Sequence, residues 1–410
     1  MAVPAPGLRG GSSEAEARAP LGELAWASVA HFINDGLAAA VTLLLPFIAA
    51  DLALSYSQAG VVKAALNGAI SLSQLPAGLL GGRTGEAALL GAGLGWFSVS
   101  FVLMCLAASY PTLLLLMGSA GAGGGIYHPV GTAWVSRVYQ GRRRGTAVGT
   151  LNFAGDLGKI ALPAVAGGLV VWGGWRNSLV ALGAAGGVAA VGLLLYGYRN
   201  RRGLESPRPA QPQTATSLGI VQTGQFVVIC LIGLIDQAGR SAVMAFLGFL
   251  LLSRGTPESA LGWLVAVTFA GGAFGKFGCG WLVDRLEDRR VMAMTETAMA
   301  AGCLMLALTD PGLWLVPLLV VFGFALNGTS SVIYTRLADT LDPASFSRGY
   351  GVYYTLSFGS SALAPVVYGL LADWQGLTWV YVGIAVMNLC ILPLLLLLKG
   401  TTGTGGTVAT

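Results

Sequence analysis

The sequence predicts an all-α integral membrane protein, with twelve transmembrane helices in two six-helix bundles and both termini cytoplasmic. Three observations carry this. Hydrophobic residues make up 55% of the chain and charged residues only 10%, with a mean hydropathy of +0.72; a soluble domain carries about 25% charged residues. The basic residues collect in alternate loops. The two halves of the chain repeat one another.

Residues 1–23 are rich in Ala, Gly, Pro and Glu and lack the apolar core of a secretory signal, so they read as a disordered cytoplasmic tail. Twelve apolar stretches follow, each near the ~20 residues needed to cross a bilayer. They are 24–50, 58–81, 87–108, 111–136, 146–171 and 175–197 in an N-terminal bundle (24–198), then 220–252, 259–282, 291–309, 312–337, 347–371 and 376–398 in a C-terminal bundle (220–398). Between the bundles, 199–219 is basic and then rich in Pro, Gln and Thr, the composition of a flexible cytoplasmic linker. Residues 399–410 form a second tail. Seventeen Lys and Arg fall in one set of loops and the tails, against only Arg176 and Arg254 in the other. The basic set lies on the cytoplasmic side by the positive-inside rule. This places the chain in the inner (plasma) membrane as a multi-pass protein.

The repeat has a register. Gly60 and Gly262, Gly78 and Gly280, Arg83 and Arg285, Pro163 and Pro365, and Trp172 and Trp374 are each separated by 202 residues. Asp35 and Asp236 differ from that offset by one. A six-plus-six duplication is the architecture of secondary transporters, whose substrate site lies between the halves near the midplane. The five cysteines, an odd number, all fall in apolar segments and read as buried packing residues rather than a disulfide framework.

Ionisable residues within spans cost at least ~2.5–3.5 kcal/mol to insert and normally face a partner or a watery cavity. Asp35 and His31 (span 1), Asp156 and Lys159 (span 5), and Asp236 and Arg240 (span 7) are such residues. Asp35 lies roughly 16 Å into its helix at 1.5 Å per residue, with His31 one turn below it on the same face. It is the candidate proton carrier, together with His31 and the mirrored acid Asp236; the alternative is a permanent ion pair. Asp156 with Lys159 and Asp236 with Arg240 are spaced as intrahelical salt bridges. Alternatively, Lys159 and Arg240 bind an anionic group while the acids exchange with it, Arg supplying a planar fork for carboxylate or phosphonate oxygens. The 202 offset maps Lys159 onto Ser361, so this charge stands outside the repeat. His128, Asn152, Asn327 and Tyr334 complete the candidate substrate cavity, with Asn67 weaker. Lys63, Lys276 and Glu296 read as long side chains snorkelling to helix ends. Arg137 and Arg336 read as gate residues.

The loop Gly280-Trp281-Leu282-Val283-Asp284-Arg285 resembles the Gly-x-x-x-Asp-Arg loop of the major facilitator superfamily, and at fold level the resemblance covers the whole chain. The equivalent loop Gly78-Leu79-Leu80-Gly81-Gly82-Arg83 has Gly82 where the family has Asp. The resemblance implies a gate brace made by Asp284, Arg285, Arg289 and Arg83. Within the superfamily, Ala30-His31-Phe32-Ile33-Asn34-Asp35 and Gly123-Gly124-Gly125-Ile126-Tyr127-His128-Pro129 resemble the fosmidomycin-resistance branch of efflux transporters. Val130 stands where that branch has an acid, and the Asp156/Lys159 pair departs from it. The resemblance implies antiport: proton-coupled export of a small anionic or amphiphilic compound. Uptake of a small organic anion with protons uses the same residues and stays open as the alternative.

Other classes fit less well. No phosphate-binding loop or soluble domain mass is present for a nucleotide-driven pump, so an ion gradient is the expected energy source and no cofactor is expected. Two histidines and no cysteine at ligand spacing make a metal site or an intramembrane enzyme a poor reading. The expected partners are a small-molecule substrate, protons and the lipid bilayer, with no nucleic acid, and the chain is expected to act as a monomer.

Overall fold

The computed structural model describes residues 21–139, 142–200, 219–283, 285–310, 312–342 and 346–399. Most of the predicted tails and linker lie outside these residues. Apart from a short 3-10 turn and one isolated bridge, the regular structure of the described residues is α-helical. The N-terminal half contains α1 (Leu21–Asp51), α2 (Tyr56–Thr84), α3 (Glu86–Leu103), α4 (Tyr110–Gly124), α5 (Tyr127–Val138) and α6 (Arg142–Arg199). The C-terminal half contains α7 (Thr223–Ser253), α8 (Glu258–Val283), α9 (Asp288–Leu308), α10 (Leu315–Ala338), α11 (Phe346–Gln375), α12 (Leu377–Leu389) and α13 (Ile391–Leu396).

Among the described residues nine helices are long and apolar enough to cross a membrane. The predicted stretches and the helices agree except where backbone chemistry intervenes. Stretch 111–136 is divided at Gly125-Ile126 into α4 and α5, inside the glycine-rich run. Stretches 146–171 and 175–197 are two arms of α6, broken at Gly174, where φ is +78°. That left-handed turn is open to glycine at no steric cost. Stretch 376–398 divides into α12 and α13 at Cys390. The cysteines are free, but Cys390 is exposed and Cys105 is half-buried. The expectation of five buried packing residues is corrected there: apolar character in a membrane helix does not say whether a side chain faces protein or lipid. Trp172 and Trp374, equivalent in the repeat, are also exposed beside the Gly174 and Gly376 breaks, as interfacial anchors are.

The apolar packing shows how the halves meet. One cluster runs through both, from Leu37–Ile48 of α1 to Val243–Leu251 of α7 and Tyr381 of α12. Two others are confined to one half each, around Trp134 and Leu151 in the first and around Ile333 and Tyr353 in the second, both nearer the basic helix ends. The halves therefore join at the end away from the basic loops. There the repeat is used crosswise. A Cβ on Gly60 of α2 would collide with the Pro365 carbonyl of α11, and one on Gly262 of α8 would lie 3.1 Å from the Pro163 carbonyl of α6 and 2.8 Å from Gly167 Cα. Glycine lets the backbones meet, as small residues do throughout membrane bundles.

A carboxylate closes the α2–α11 contact. Ser55 caps α2 reciprocally with Gln58, and Asp373 of α11 accepts from the Tyr56 and Ser57 amides at 2.7 and 3.0 Å. Backbone donors that a helix start leaves unpaired are thus satisfied from the opposite half. Asp373→Ala is expected to destabilise the protein by about 0.5–2 kcal/mol, the cost of a lost N-terminal cap, read as a lower thermal unfolding midpoint.

Candidate functional site

Glycines set the spacing of the first cluster. Side chains at Gly155 and Gly158 of α6 would overlap His31 and the Phe32 backbone of α1, so α6 lies against α1 at the depth of Asp35. Lys159 Nζ is 2.9 Å from Asp35 Oδ2 and 3.3 Å from Asp156 Oδ1. Asp35 is also approached by His31 Nε2 at 3.3 Å, by His128 Nε2 at 3.5 Å and by the Asn34 amide at 3.3 Å. Asp35 and His31 are buried, whereas the His128 side chain is 41% exposed.

His31 is held by its other nitrogen, which donates to the Leu151 carbonyl at 2.8 Å, and its ring stacks on Tyr127 with centroids 4.4 Å apart. A carbonyl and a carboxylate are both acceptors, so only the doubly protonated ring can donate to both.

The chain of charges continues into the other half. Lys276 of α8 contacts both oxygens of Asp156, at 2.7 and 2.9 Å. This corrects the reading of Lys276 as a snorkelling residue and enlarges the Asp156–Lys159 pair. The sequence Asp35–Lys159–Asp156–Lys276 spans the two bundles. Asn67 of α2 also bridges them, donating to Ser241 Oγ at 3.4 Å and the Ser361 carbonyl at 3.3 Å. Lys63 is buried, with Nζ 3.3 Å from Thr42 Oγ1, and so does not snorkel. Asn152 is exposed on α6 and makes no hydrogen bond to another described residue.

The second cluster sits in the C-terminal half. Arg240 Nη2 is 2.9 Å from Asp236 Oδ2, as the i, i+4 spacing predicts. Arg240 also donates to Gln237 and, at 3.5 Å, to Asn327 Oδ1. Tyr334 packs its ring 5.8 Å from Tyr353 and 5.7 Å from Tyr354. Glu296 is fully buried and accepts from Asn388 Nδ2 at 3.1 Å, so the prediction that it snorkels is also corrected.

The predicted gate arginines act within a half. Arg137 of α5 pairs with Glu86 at the start of α3. Arg336 of α10 pairs with Asp288 at the start of α9, at 3.3 Å. Glu86 and Asp288 are equivalent at the 202 offset, whereas Arg137 and Arg336 are 199 residues apart, and each of these two pairs lies within one half. Arg285 stacks over Trp281 at 3.8 Å. Arg289 binds Glu287 at 2.8 Å and the Leu398 carbonyl at 2.9 Å. Asp284 and the Arg83 side chain lie outside the described residues.

His31, Asp35 and His128 bring three metal-capable atoms within 4.8 Å of one another. The Lys159 ammonium already contacts the same carboxylate, so a divalent cation there would face a fixed positive charge. The residues suit proton and ion-pair chemistry better than metal binding.

Two joined helical bundles with a charged pathway between them define a membrane transporter. The chain belongs to the Major Facilitator Superfamily, whose sequence model matches residues 27–235 and 229–408. It is therefore a secondary transporter and not an enzyme. It is 27% identical over 370 residues to the MFS-type transporter YfnC of Bacillus subtilis, covering 87% of this chain and 88% of that one. It is 24% identical over 385 residues to the fosmidomycin resistance protein of Escherichia coli, covering 92% and 93%. A hexuronate transporter of Escherichia coli is 23% identical over 376 residues, covering 84% and 85%. Among solved structures, an inward-facing, occupied bacterial homologue of the human lysosomal transporter Spinster superposes with a TM-score of 0.76 at 17% identity, covering 92% of this chain and 96% of that one.

Proposed function

We propose that this chain is a proton-coupled exporter of a small anionic or amphiphilic compound, with twelve spans, both termini cytoplasmic and alternating access between its halves. The observation that supports this most directly is the chain Asp35–Lys159–Asp156–Lys276, which starts beside two imidazoles and ends in the opposite bundle. The halves join at the end away from the basic loops, so with the basic ends cytoplasmic the space between them is a cleft that opens inward. A cargo entering it meets Lys159 and Lys276 with its anionic group and the Asp35 carboxylate with a hydrogen-bond donor. Exchange requires that proton and cargo exclude one another, and a shared Asp35 carboxylate provides that exclusion.

The same cluster favours a second reading for a cargo that is only anionic. A proton on Asp35 cancels the charge that holds Lys159, freeing the ammonium for the anion. Proton and anion then bind together and move together, which is proton-coupled uptake. The hexuronate transporter among the relatives supports keeping this reading.

Growth of a fosmidomycin-sensitive, efflux-deficient host expressing the protein separates the two. Protection is expected. Increased sensitivity would instead establish uptake, and unchanged growth at full membrane expression would exclude this phosphonate as cargo. In either direction, Lys159→Ala is expected to weaken anion binding by about ten- to a hundredfold, the value of a lost charge-assisted hydrogen bond of roughly 1.5–3 kcal/mol. Equilibrium binding to purified protein checks it, and unchanged affinity with reduced thermal stability would make Lys159 a structural brace.

A further inference from the structure

The C-terminal cluster carries more acid than base in a sealed site. Asp236 of α7, Glu296 of α9 and Asn388 of α12 each have 0% exposure. The Glu296 carboxyl lies within hydrogen-bonding reach of the Asp236 carboxyl and of the Thr329 hydroxyl of α10. Thr329 itself donates to Thr295 Oγ1 at 2.7 Å. Arg240 is close to Asp236 Oδ2, but its aligned donors point to Gln237 and Asn327. Both Asp236 oxygens and Glu296 Oε1 have no hydrogen-bond donor among the described residues. The other groups facing the pair are the Tyr334 and Tyr353 phenols of α10 and α11 and the Cys303 thiol of α9.

Two ionised carboxylates can only accept hydrogen bonds, so neither can satisfy the other. With both charged, the cluster holds two negative charges against one guanidinium, and an uncompensated buried charge is costly. One proton removes both problems. It supplies the missing donor between the acids and leaves one carboxylate for one arginine.

We propose that Asp236 and Glu296 hold a single proton in common and form a second proton site of the transporter, in the half that lacks Asp35. The role of this site in transport rests on the proton-coupled reading above; its existence does not. The proton binds a carboxylate oxygen and leaves to cleft water, with no other bond changed. Arg240, whose side chain is 13% exposed, is the route by which the cleft senses it. While the proton is held, Arg240 faces a single charged carboxylate, and an anionic cargo competes with that one charge for the guanidinium. When the proton leaves, the two carboxylates draw Arg240 back.

Infrared difference spectroscopy of the purified, substrate-free protein in lipid nanodiscs tests this. A carboxylic-acid carbonyl band that shifts on deuteration is expected at neutral pH. Glu296→Gln should remove one carboxylic acid per chain from it, Asp236→Asn should remove the same band, and Asp35→Asn should leave it in place. Using two separate variants guards against one of them failing to fold. A band unchanged in both would overturn the dyad, whatever transport the protein performs. A dyad band in a protein that shows no proton-driven transport would uphold the site and sink the coupling reading instead.

Discussion

Asp35→Asn is expected to lose gradient-driven transport by more than about tenfold, equivalent to at least about 1.4 kcal/mol in the driven step, while cargo exchange without a gradient persists. The substitution preserves volume and the contact with Asn34 but removes the titratable oxygen and the charge that Lys159 meets at 2.9 Å. Lys159 is not stranded, because Asp156 remains 3.3 Å away, so the variant should fold and reach the membrane. His31 loses its anionic partner on Nε2 and keeps the Leu151 carbonyl on Nδ1, a state that the neutral ring satisfies. Position 35 is thereby fixed in one charge state, which removes its share of the coupling without abolishing movement. Transport driven by an imposed pH gradient in vesicles, compared with counterflow at equal pH, separates these effects. Equal driven transport in mutant and wild type would reduce Asp35 to a structural ion pair.

The pathway was legible in the sequence wherever its geometry is local. An ionisable residue in an apolar run announces itself through its cost, and i, i+3 or i, i+4 spacing then names its neighbour on the same helix. Asp156 with Lys159 and Asp236 with Arg240 were found in this way. Contacts between helices were not legible, because periodicity fixes neither which helices adjoin nor how each is rotated. Lys276 lies seven residues before the end of α8 and Glu296 eight residues after the start of α9. Both are placed where a long side chain could reach the interface, and only the packing turns them inward. Glu86 and Asp373 were missed for the same reason: an acid at a helix end is ordinary until its partner is known. The repeat was informative to a definite depth. It identified Gly60 with Gly262 and Pro163 with Pro365 as equivalent positions. That each glycine packs on the proline of the other half follows from the arrangement of the bundles, which sequence equivalence does not contain.

Gly60→Val is expected to drive the protein away from the conformation described here. Its Cβ would meet the Pro365 carbonyl, and a backbone atom cannot rotate aside as a flexible side chain can. The available response is for α2 and α11 to separate, which also removes Asp373 from the α2 amides. Overpacking of this kind costs about 1–3 kcal/mol, which shifts a two-state equilibrium by roughly 5–150-fold. Spin labels at the exposed Ala53, just ahead of α2, and Ser259 of α8, in a cysteine-free background, should report longer distances between the halves. Gly262→Val should act in the same direction but less strongly, since its Cβ would lie 2.8 Å from Gly167 Cα and 3.1 Å from the Pro163 carbonyl. Transport should fall in both variants while cargo affinity from the open side is retained, because the charged chain through Asp156 lies deeper in the cleft. Unchanged distances together with unchanged transport in Gly60→Val would mean that the α2–α11 contact is not a closing face of the cycle. The α6–α8 contact, closed by the repeat-related pair, would then have to carry the gate alone.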